Sequence, residues 1–320
     1  MVWAVTGATG FLGAALLRRL ALLQADLFGA TSHSLLGITR YAPAKGIAGV
    51  RYVSVGDFSG TVDWPVALSG VDVVVHTAAR VHVMADTAVE PLAEFRRVNV
   101  QASLGLAREA AAVGVRRFVF ISSVKVNGEA TWAGQPFTEE DAGAPKDGYG
   151  LSKLEAEEGL RQLSADTGME VVIIRPPLVY GPGVKANFAA LMRAVQRAWP
   201  LPLGAVHNQR SLVALDNLVD FIVTCITHPL AANQTFLVSD GQDLSTTELV
   251  RGMAQAVGVP ARLLPVPVWA LQAGASLLGK GDAVQRLCGN LQVDISKARS
   301  FLGWVPPVSV QEGLRRAMAI

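Results

Sequence analysis

The sequence predicts an α/β protein in which a doubly wound parallel sheet is joined by a smaller, interleaved C-terminal lobe. Three observations predict it. Short, uniformly apolar runs alternate with segments of helical spacing, a glycine-rich turn separates the first run from the first helical segment, and past about residue 176 Pro/Gly-rich turns take over. Strands apolar on both faces suit a sheet covered by helices on both sides, and a strand–helix–strand repeat builds one with parallel strands.

The elements follow in order. The apolar runs VWAVTG (2–7), LLGITR (35–40), VRYVSV (50–55), VDVVVHTAA (71–79), RRFVFISS (116–123) and MEVVIIRP (169–176) are strand candidates. Leu12, Leu16, Leu17 and Leu20, then Phe95, Val98 and Ala102 to Ala112, recur at helical spacing. Beyond RPPLVYGPG and WPLPLG, the segment QTFLVSD (234–240) reads as a strand returning to the main sheet. The expected division is residues 1–176 and residues 177–320, with return segments near 211–240.

Bulk properties narrow the class. A chain of 320 residues, 51% apolar and 17% charged, buries a substantial core. Its net charge of +2 gives no reason to expect nucleic acid, and the Arg pairs at 18/19, 96/97, 116/117 and 315/316 read as solvated helix faces. Cys225 and Cys288 form no CxxC, so they read as buried thiols of a reducing compartment, and a cytoplasmic location is expected. The five histidines, His76 and His82 among them, form no HxxxH or HxH pair, so no metal is expected. VPVWALQAGASLLG (266–279) is too short to span ~30 Å of hydrocarbon. It reads as a buried or amphipathic helix, with contact at a membrane surface the lesser reading and stable insertion not expected.

VTGATGFLG carries the first chemistry. Gly7 allows a tight turn, Gly10 lets backbone approach a pyrophosphate, and Gly13 permits close helix-to-strand packing. Placed after a strand and at a helix start, whose free N–H groups favour phosphate, the turn indicates a Rossmann dinucleotide site. Thr9, Phe11 and Leu12 belong to the same stretch. An acidic residue ending the second strand would hold a ribose 2′-hydroxyl, but Thr39 and Arg40 stand there. Arg40 suits a 2′-phosphate, which leans the choice between NAD and NADP toward NADP, although it also reads as an ordinary surface charge. Asp57, with Phe58 beside it, is placed to meet the adenine edge or simply to end a strand.

Tyr149 and Lys153 lie four residues apart in YGLSKLEAEEGLRQL, a proline-free stretch rich in helix formers. Tyr41 and Lys45 share the spacing, but Pro43 disfavours a helix there. Ser122 and Ser123 end the strand at FVFISSV, on the carboxyl edge where parallel sheets bind ligands. A phenol near pKa 10 is a weak base, and a neighbouring ammonium and a cationic nicotinamide are expected to lower it. Tyr149 would then exchange a proton with a substrate hydroxyl whose carbon exchanges hydride with the cofactor. Ser123 would bind that oxygen, and Lys153 would also reach the ribose.

With TGATGFLG, HTAA, ISSVKVNG, YGLSK and RPPLVYGPG in this order, the chain resembles the extended short-chain dehydrogenase/reductases, in particular the nucleotide-sugar epimerases, dehydratases and 4-ketoreductases. The resemblance implies a catalytic triad of Ser123, Tyr149 and Lys153, accompanied by the helix residue Asn99. It implies that Ala78 and Ala79 line the cofactor and that Arg175 to Pro177, Pro176 included, pass beside the nicotinamide. Asn187 and Arg210 match positions that hold the nucleotide diphosphate, and Arg286 is a further candidate. Lys125 and Asn127 stand near the sugar, where many relatives carry a small residue and a Tyr, and Pro177 replaces a frequent Asn. These departures leave the sugar open. The resemblance implies a UDP-sugar 4-epimerase or, with Arg40 and the altered loop in mind, an NADPH-dependent reductase of a UDP-4-keto-6-deoxy-sugar. A 4,6-dehydratase lacks its acidic pair here, and a non-catalytic dinucleotide sensor would not need the triad. Pairing into a homodimer through the helices of Asn99 and Tyr149 is implied by resemblance alone.

Overall fold

The computed structural model describes residues 1–28, 34–58, 60, 62–81, 90–277, 279 and 281–319. Strands β1 (Val2–Thr6), β2 (Ser34–Thr39), β3 (Val50–Ser54), β4 (Val73–His76), β5 (Arg117–Ile121) and β6 (Glu170–Arg175) coincide with the six apolar runs to within a few residues. Past them come β7 (Leu178–Tyr180), β8 (Leu212–Ala214) and β9 (Thr235–Leu237). The helices of the first half are α1 (Phe11–Phe28), α2 (Trp64–Ala67), α3 (Pro91–Phe95), α4 (Ala102–Ala112) and α5 (Gly148–Thr167). Those of the second are α6 (Ala186–Gln196), α7 (Leu215–Thr227), α8 (Thr246–Ala256), α9 (Val268–Leu277), α10 (Gly281–Cys288), α11 (Ser296–Leu302) and α12 (Val310–Met318).

Seven strands form one sheet in the order β3-β2-β1-β4-β5-β6-β9, and each neighbouring pair is parallel. The winding direction reverses between β1 and β4, whose ends Thr6 and His76 are in register. That reversal opens a crevice at the carboxyl ends of the strands. Leu16, Leu17 and Leu20 of α1 pack with Phe221 and Ile222 of α7 on one face. On the other face Leu106, Ala107 and Ala110 of α4 meet Ala156 and Leu160 of α5. Each fully buried leucine stabilises the layer by about 1.5–3 kcal/mol.

The chain returns to this sheet over more than residues 211–240. Val213, Phe236, Leu291 and Trp304 share one core with Trp3 and Val5. Arg117, only 1% exposed, fastens that return. Its Nη1 donates to the carbonyls of Cys225, Ile226 and His228 at 2.8, 3.0 and 2.9 Å, and its Nε donates to Glu170 at 2.7 Å. A cation at the C-terminus of α7 satisfies carbonyls that the helix itself leaves open. A separate core joins Phe188 and Met192 of α6, Met253 of α8 and Leu314 of α12 beside the two-stranded β7-β8 sheet.

Candidate active site

The turn after β1 closes through Gly10 N–H donating to the Gly7 carbonyl at 2.8 Å. Gly7 has φ +64°, and a Cβ there would stand 2.9 Å from the Ala78 nitrogen. A Cβ on Gly13 would stand 2.3 Å from the Gly7 carbonyl oxygen, so only glycine lets α1 start this close to β1. Thr9 and Gly10 are exposed at the mouth, with Phe11 and Leu12 half-buried behind them. Ala78 and Ala79, half-buried at the end of β4, flank the turn, and Ala78 N–H donates to Thr6 Oγ1 at 3.4 Å. This cradle, opening onto the first-turn N–H groups of α1, fits a pyrophosphate. Arg40 is exposed directly after β2. Asp57 lies 3.5 Å from Arg97, and the Phe58 ring packs on Trp64 and His76 at 5.4 and 6.4 Å.

Helix α5 starts where Asp147 caps it, its carboxylate accepting from Gly150 N–H at 2.7 Å. One turn in, Tyr149 and Lys153 share a face, as their spacing predicted. Residues 41–45, with the same spacing, form no helix. The Tyr149 hydroxyl hydrogen-bonds Ser123, which follows β5. Lys153 is buried, and its Nζ donates to the Ile121 carbonyl at 2.9 Å while standing 4.5 Å from the centre of the Phe120 ring. The three side chains named from sequence are therefore gathered at the end of β5.

Their acidities differ from the expectation. Burial pushes the Tyr149 phenol up to about 12; the bond to Ser123 opposes this and the Asp147 carboxylate adds to it. Burial brings the Lys153 ammonium down to about 7, opposed by Glu157. The protein's own groups thus hold Tyr149 protonated at neutral pH. Lys153 is not among the groups that shift it, its amine being turned to the Ile121 carbonyl, so the expected lowering falls to the cationic nicotinamide that the expectation also named.

Below the triad lie two polar networks. Glu157, buried and one turn beyond Lys153, accepts from Arg175 Nε and Nη2 at 2.9 and 2.6 Å, from Ser122 at 2.5 Å and from Arg161 at 2.7 Å. Buried His76 hydrogen-bonds Thr6 at 2.8 Å and Ser103 at 2.9 Å. Burial, then Lys153, brings the His76 imidazole down to about 3, so it is neutral at physiological pH. Neither network was read from the sequence. The repeat Tyr149, Lys153, Glu157, Arg161 at intervals of four was the available signal for the first.

Asn99 sits in a π-helical turn, Arg96–Gln101, between α3 and α4. Its side chain donates to the Arg80 carbonyl and the Ser152 hydroxyl, both at 3.0 Å, and accepts from Arg80 N–H at 2.9 Å. These bonds tie it to the backbone at Arg80 and to α5, so in this structure it positions that helix. A π-bulge at such a site is a common functional device.

The residues assigned to the sugar divide. Asn127 is buried, accepting from Arg175 at 3.0 Å and donating to the Thr138 carbonyl at 2.9 Å, which leaves its amide turned inward rather than toward a ligand. Lys125 donates to the carboxylate of Asp147 and to Glu129 at 3.2 Å, so it braces the start of α5 instead of reaching outward. Pro176 is buried at the end of β6 and its carbonyl accepts from Val124 N–H at 3.0 Å. Asn187 is exposed in the first turn of α6. Arg210 donates to the Gly289 carbonyl at 3.1 Å, next to the end of the helix that carries exposed Arg286, and burial lowers its pKa. Among the described residues no cluster of His, Cys, Asp and Glu suits a metal, and His82 lies outside them.

Comparison with known proteins agrees with this geometry. The chain is 51% identical over 313 residues to UDP-glucose 4-epimerase of Vibrio cholerae, covering 98% of this chain and 93% of the relative. It is 29% identical over 266 residues to N-acetyl-alpha-D-glucosaminyl-diphospho-ditrans,octacis-undecaprenol 4-epimerase of Escherichia coli O157:H7, covering 79% and 78% of the two chains. The solved UDP-glucose 4-epimerase of Thermotoga maritima with UDP-glucose matches the fold with a TM-score of 0.77 at 21% identity, over 99% of this chain and 97% of that one. The profile of the NAD dependent epimerase/dehydratase family matches residues 3–239. The chain belongs to the NAD dependent epimerase/dehydratase family.

Proposed function

We propose that the protein is a UDP-sugar 4-epimerase acting by transient oxidation at C4. One observation carries the reading: Tyr149, beside Ser123 and with Lys153 one turn on, stands at the end of β5, on the same sheet edge as the glycine turn after β1. The 51% identity to a UDP-glucose 4-epimerase supports it. A nicotinamide dinucleotide, its pyrophosphate held by Gly7 to Gly13 with Ala78 and Ala79 alongside, would supply hydride acceptance and return. Tyr149 takes the C4 hydroxyl proton and later gives it back. Ser123 would hold the C4 oxygen in both oxidation states, and Lys153 would reach the ribose hydroxyls. Arg210, Arg286 and Asn187 are assigned to the diphosphate, in a substrate lobe formed by residues 177–320.

A second reading, an NADPH-dependent 4-ketoreductase, is favoured by Arg40 after β2, where a 2′-phosphate would lie. Pairing into a homodimer through α4 and α5 and a location in the reducing cytoplasm, which suits the free thiols Cys225 and Cys288, complete the proposal. The test is to incubate purified protein with UDP-glucose, UDP-N-acetylglucosamine and a UDP-4-keto-6-deoxy-sugar, with and without NADPH. Interconversion of C4 epimers without added reductant is expected. Stoichiometric NADPH loss confined to the keto-sugar would establish the reductase instead.

A further inference from the structure

The net charge of +2 conceals an asymmetry. Residues 171–215 and 249–281 contain no Asp or Glu and together hold eight Lys or Arg. Arg175 and Arg210 are engaged in the site just described, but Arg193, Arg197 and Arg262 are exposed. The same lobe turns large apolar side chains outward: Trp199 is 53%, Leu264 50%, Trp269 72% and Leu277 90% exposed.

Helix α9 shows how this arises. Val268 and Leu271 pack on the core of α6, α8 and α12, whereas Trp269, Ala273 and Leu277 recur every fourth residue and are exposed. The helix packs on that core and on α10 and leaves this apolar stripe facing outward. The segment leading into it runs beside residues 199–201, since Leu201 N–H donates to the Arg262 carbonyl and Leu264 N–H to the Leu201 carbonyl, each at 2.8 Å. Trp199 and Leu264 therefore lie on neighbouring segments of chain, both exposed. The Arg197 guanidinium stands 5.5 Å from the centre of the Trp199 ring, presenting cation and aromatic together.

We propose that this face, Trp199, Leu264 and the outer stripe of α9 with Arg193, Arg197 and Arg262, docks the protein peripherally on an anionic lipid surface. Tryptophan favours the boundary between headgroups and acyl chains, and each basic residue near an anionic leaflet adds attraction. An amphipathic helix lying in that plane is the common way to combine the two. A second copy of the chain fits worse, because a two-fold interface would set Arg193, Arg197 and Arg262 against their own copies. The inference is independent of which sugar the site takes.

Flotation of the full-length protein with phosphatidylcholine vesicles, alone or doped with phosphatidylglycerol, tests it. Binding to the doped vesicles only, weakened by salt, is expected. The pair Arg197→Glu with Arg262→Glu is expected to lower partitioning roughly tenfold or more. Trp269→Ser with Leu277→Ser should release the protein even at low salt, while both double variants keep sugar turnover and KM in solution. Absence of binding to doped vesicles, or variants that bind as the parent does, would overturn the proposal. So would light scattering in which the Trp269/Leu277 variant breaks a dimer that shows no affinity for vesicles.

Discussion

Glu157 meets Arg175 as a two-pronged pair inside the protein, Nε to Oε1 at 2.9 Å and Nη2 to Oε2 at 2.6 Å, directly below the catalytic face of α5. Both side chains are buried, 0% and 4% exposed. Removing one member of such a pair strands the other charge and costs about 3–5 kcal/mol. Glu157→Gln keeps the shape and loses the charge, so thermal melts should fall by several degrees. Because Glu157 also favours the Lys153 ammonium, kcat should fall with it. An unchanged melt would show that the pair does not fasten α5 to β6.

Lys125 is the residue whose role changes most between sequence and structure. It faces the Asp147 carboxylate and Glu129, and Asp147 in turn raises the Tyr149 pKa. Lys125→Met leaves that carboxylate less compensated, so the alkaline rise of kcat should move to higher pH and turnover at neutral pH should drop a few-fold. Lys125→Arg should restore the profile. A raised KM for the UDP-sugar with an unmoved pH profile would instead reveal a substrate contact.

The parallel sheet, the glycine turn and the Tyr149–Lys153 face were legible because each follows from local pattern: apolar runs, a strand–turn–helix context, and a spacing of four without proline. The intramolecular partners of Asn127 and Lys125 were not legible, because Arg175 and Asp147 lie 48 and 22 positions away in sequence. No local pattern tells an amide bound to a buried guanidinium from one waiting for a sugar. The His76 network was missed for the same reason, since Thr6 and Ser103 reach it only once β1 and α4 pack around β4. A lowered Tyr149 pKa was expected from the charges of Lys153 and a cationic nicotinamide, whereas burial, which only the packed structure reveals, raises it among the protein's own groups.

His76 predicts acid sensitivity. Its folded pKa of about 3 lies below the ordinary imidazole value of 6.5, so the unfolded chain binds the extra proton across that interval. Stability is full above about 6.5 and is lost as pH falls toward 3. His76→Gln retains hydrogen bonding to Thr6 and Ser103 but does not titrate. Denaturant melts of this variant should show a flatter acid limb, gaining more than 1 kcal/mol on the parent by about pH 5, as ~1.4 kcal/mol per pKa unit implies. Parallel acid limbs would exclude His76 as the source.

Tyr149→Phe removes the one hydroxyl assigned to proton exchange and leaves the ring against Phe95, at 6.2 Å between centres. Turnover should fall by roughly 10²–10⁴, while the variant still binds dinucleotide, recovered when the protein is denatured. A variant losing less than tenfold would move the acid/base role elsewhere, and Ser123→Ala would then be the next comparison.

Lys153 should be a site where function costs stability. Burial brings its ammonium from 10.5 down to about 7, so between those values the unfolded chain binds the additional proton and the folded protein gains stability as pH rises. Below about 7 the folded state carries a buried cation, offset only by the Ile121 carbonyl, the Phe120 ring and distant Glu157. Lys153→Met fills the same space without the charge. At pH 6 it should melt at higher temperature than the parent, by on the order of 2 kcal/mol, while losing nearly all turnover. That advantage should shrink steadily toward pH 10, where the parent's amine is neutral. A variant destabilised equally at every pH would mean that the bond to Ile121 outweighs desolvation, and the ammonium would then be charged throughout the working range.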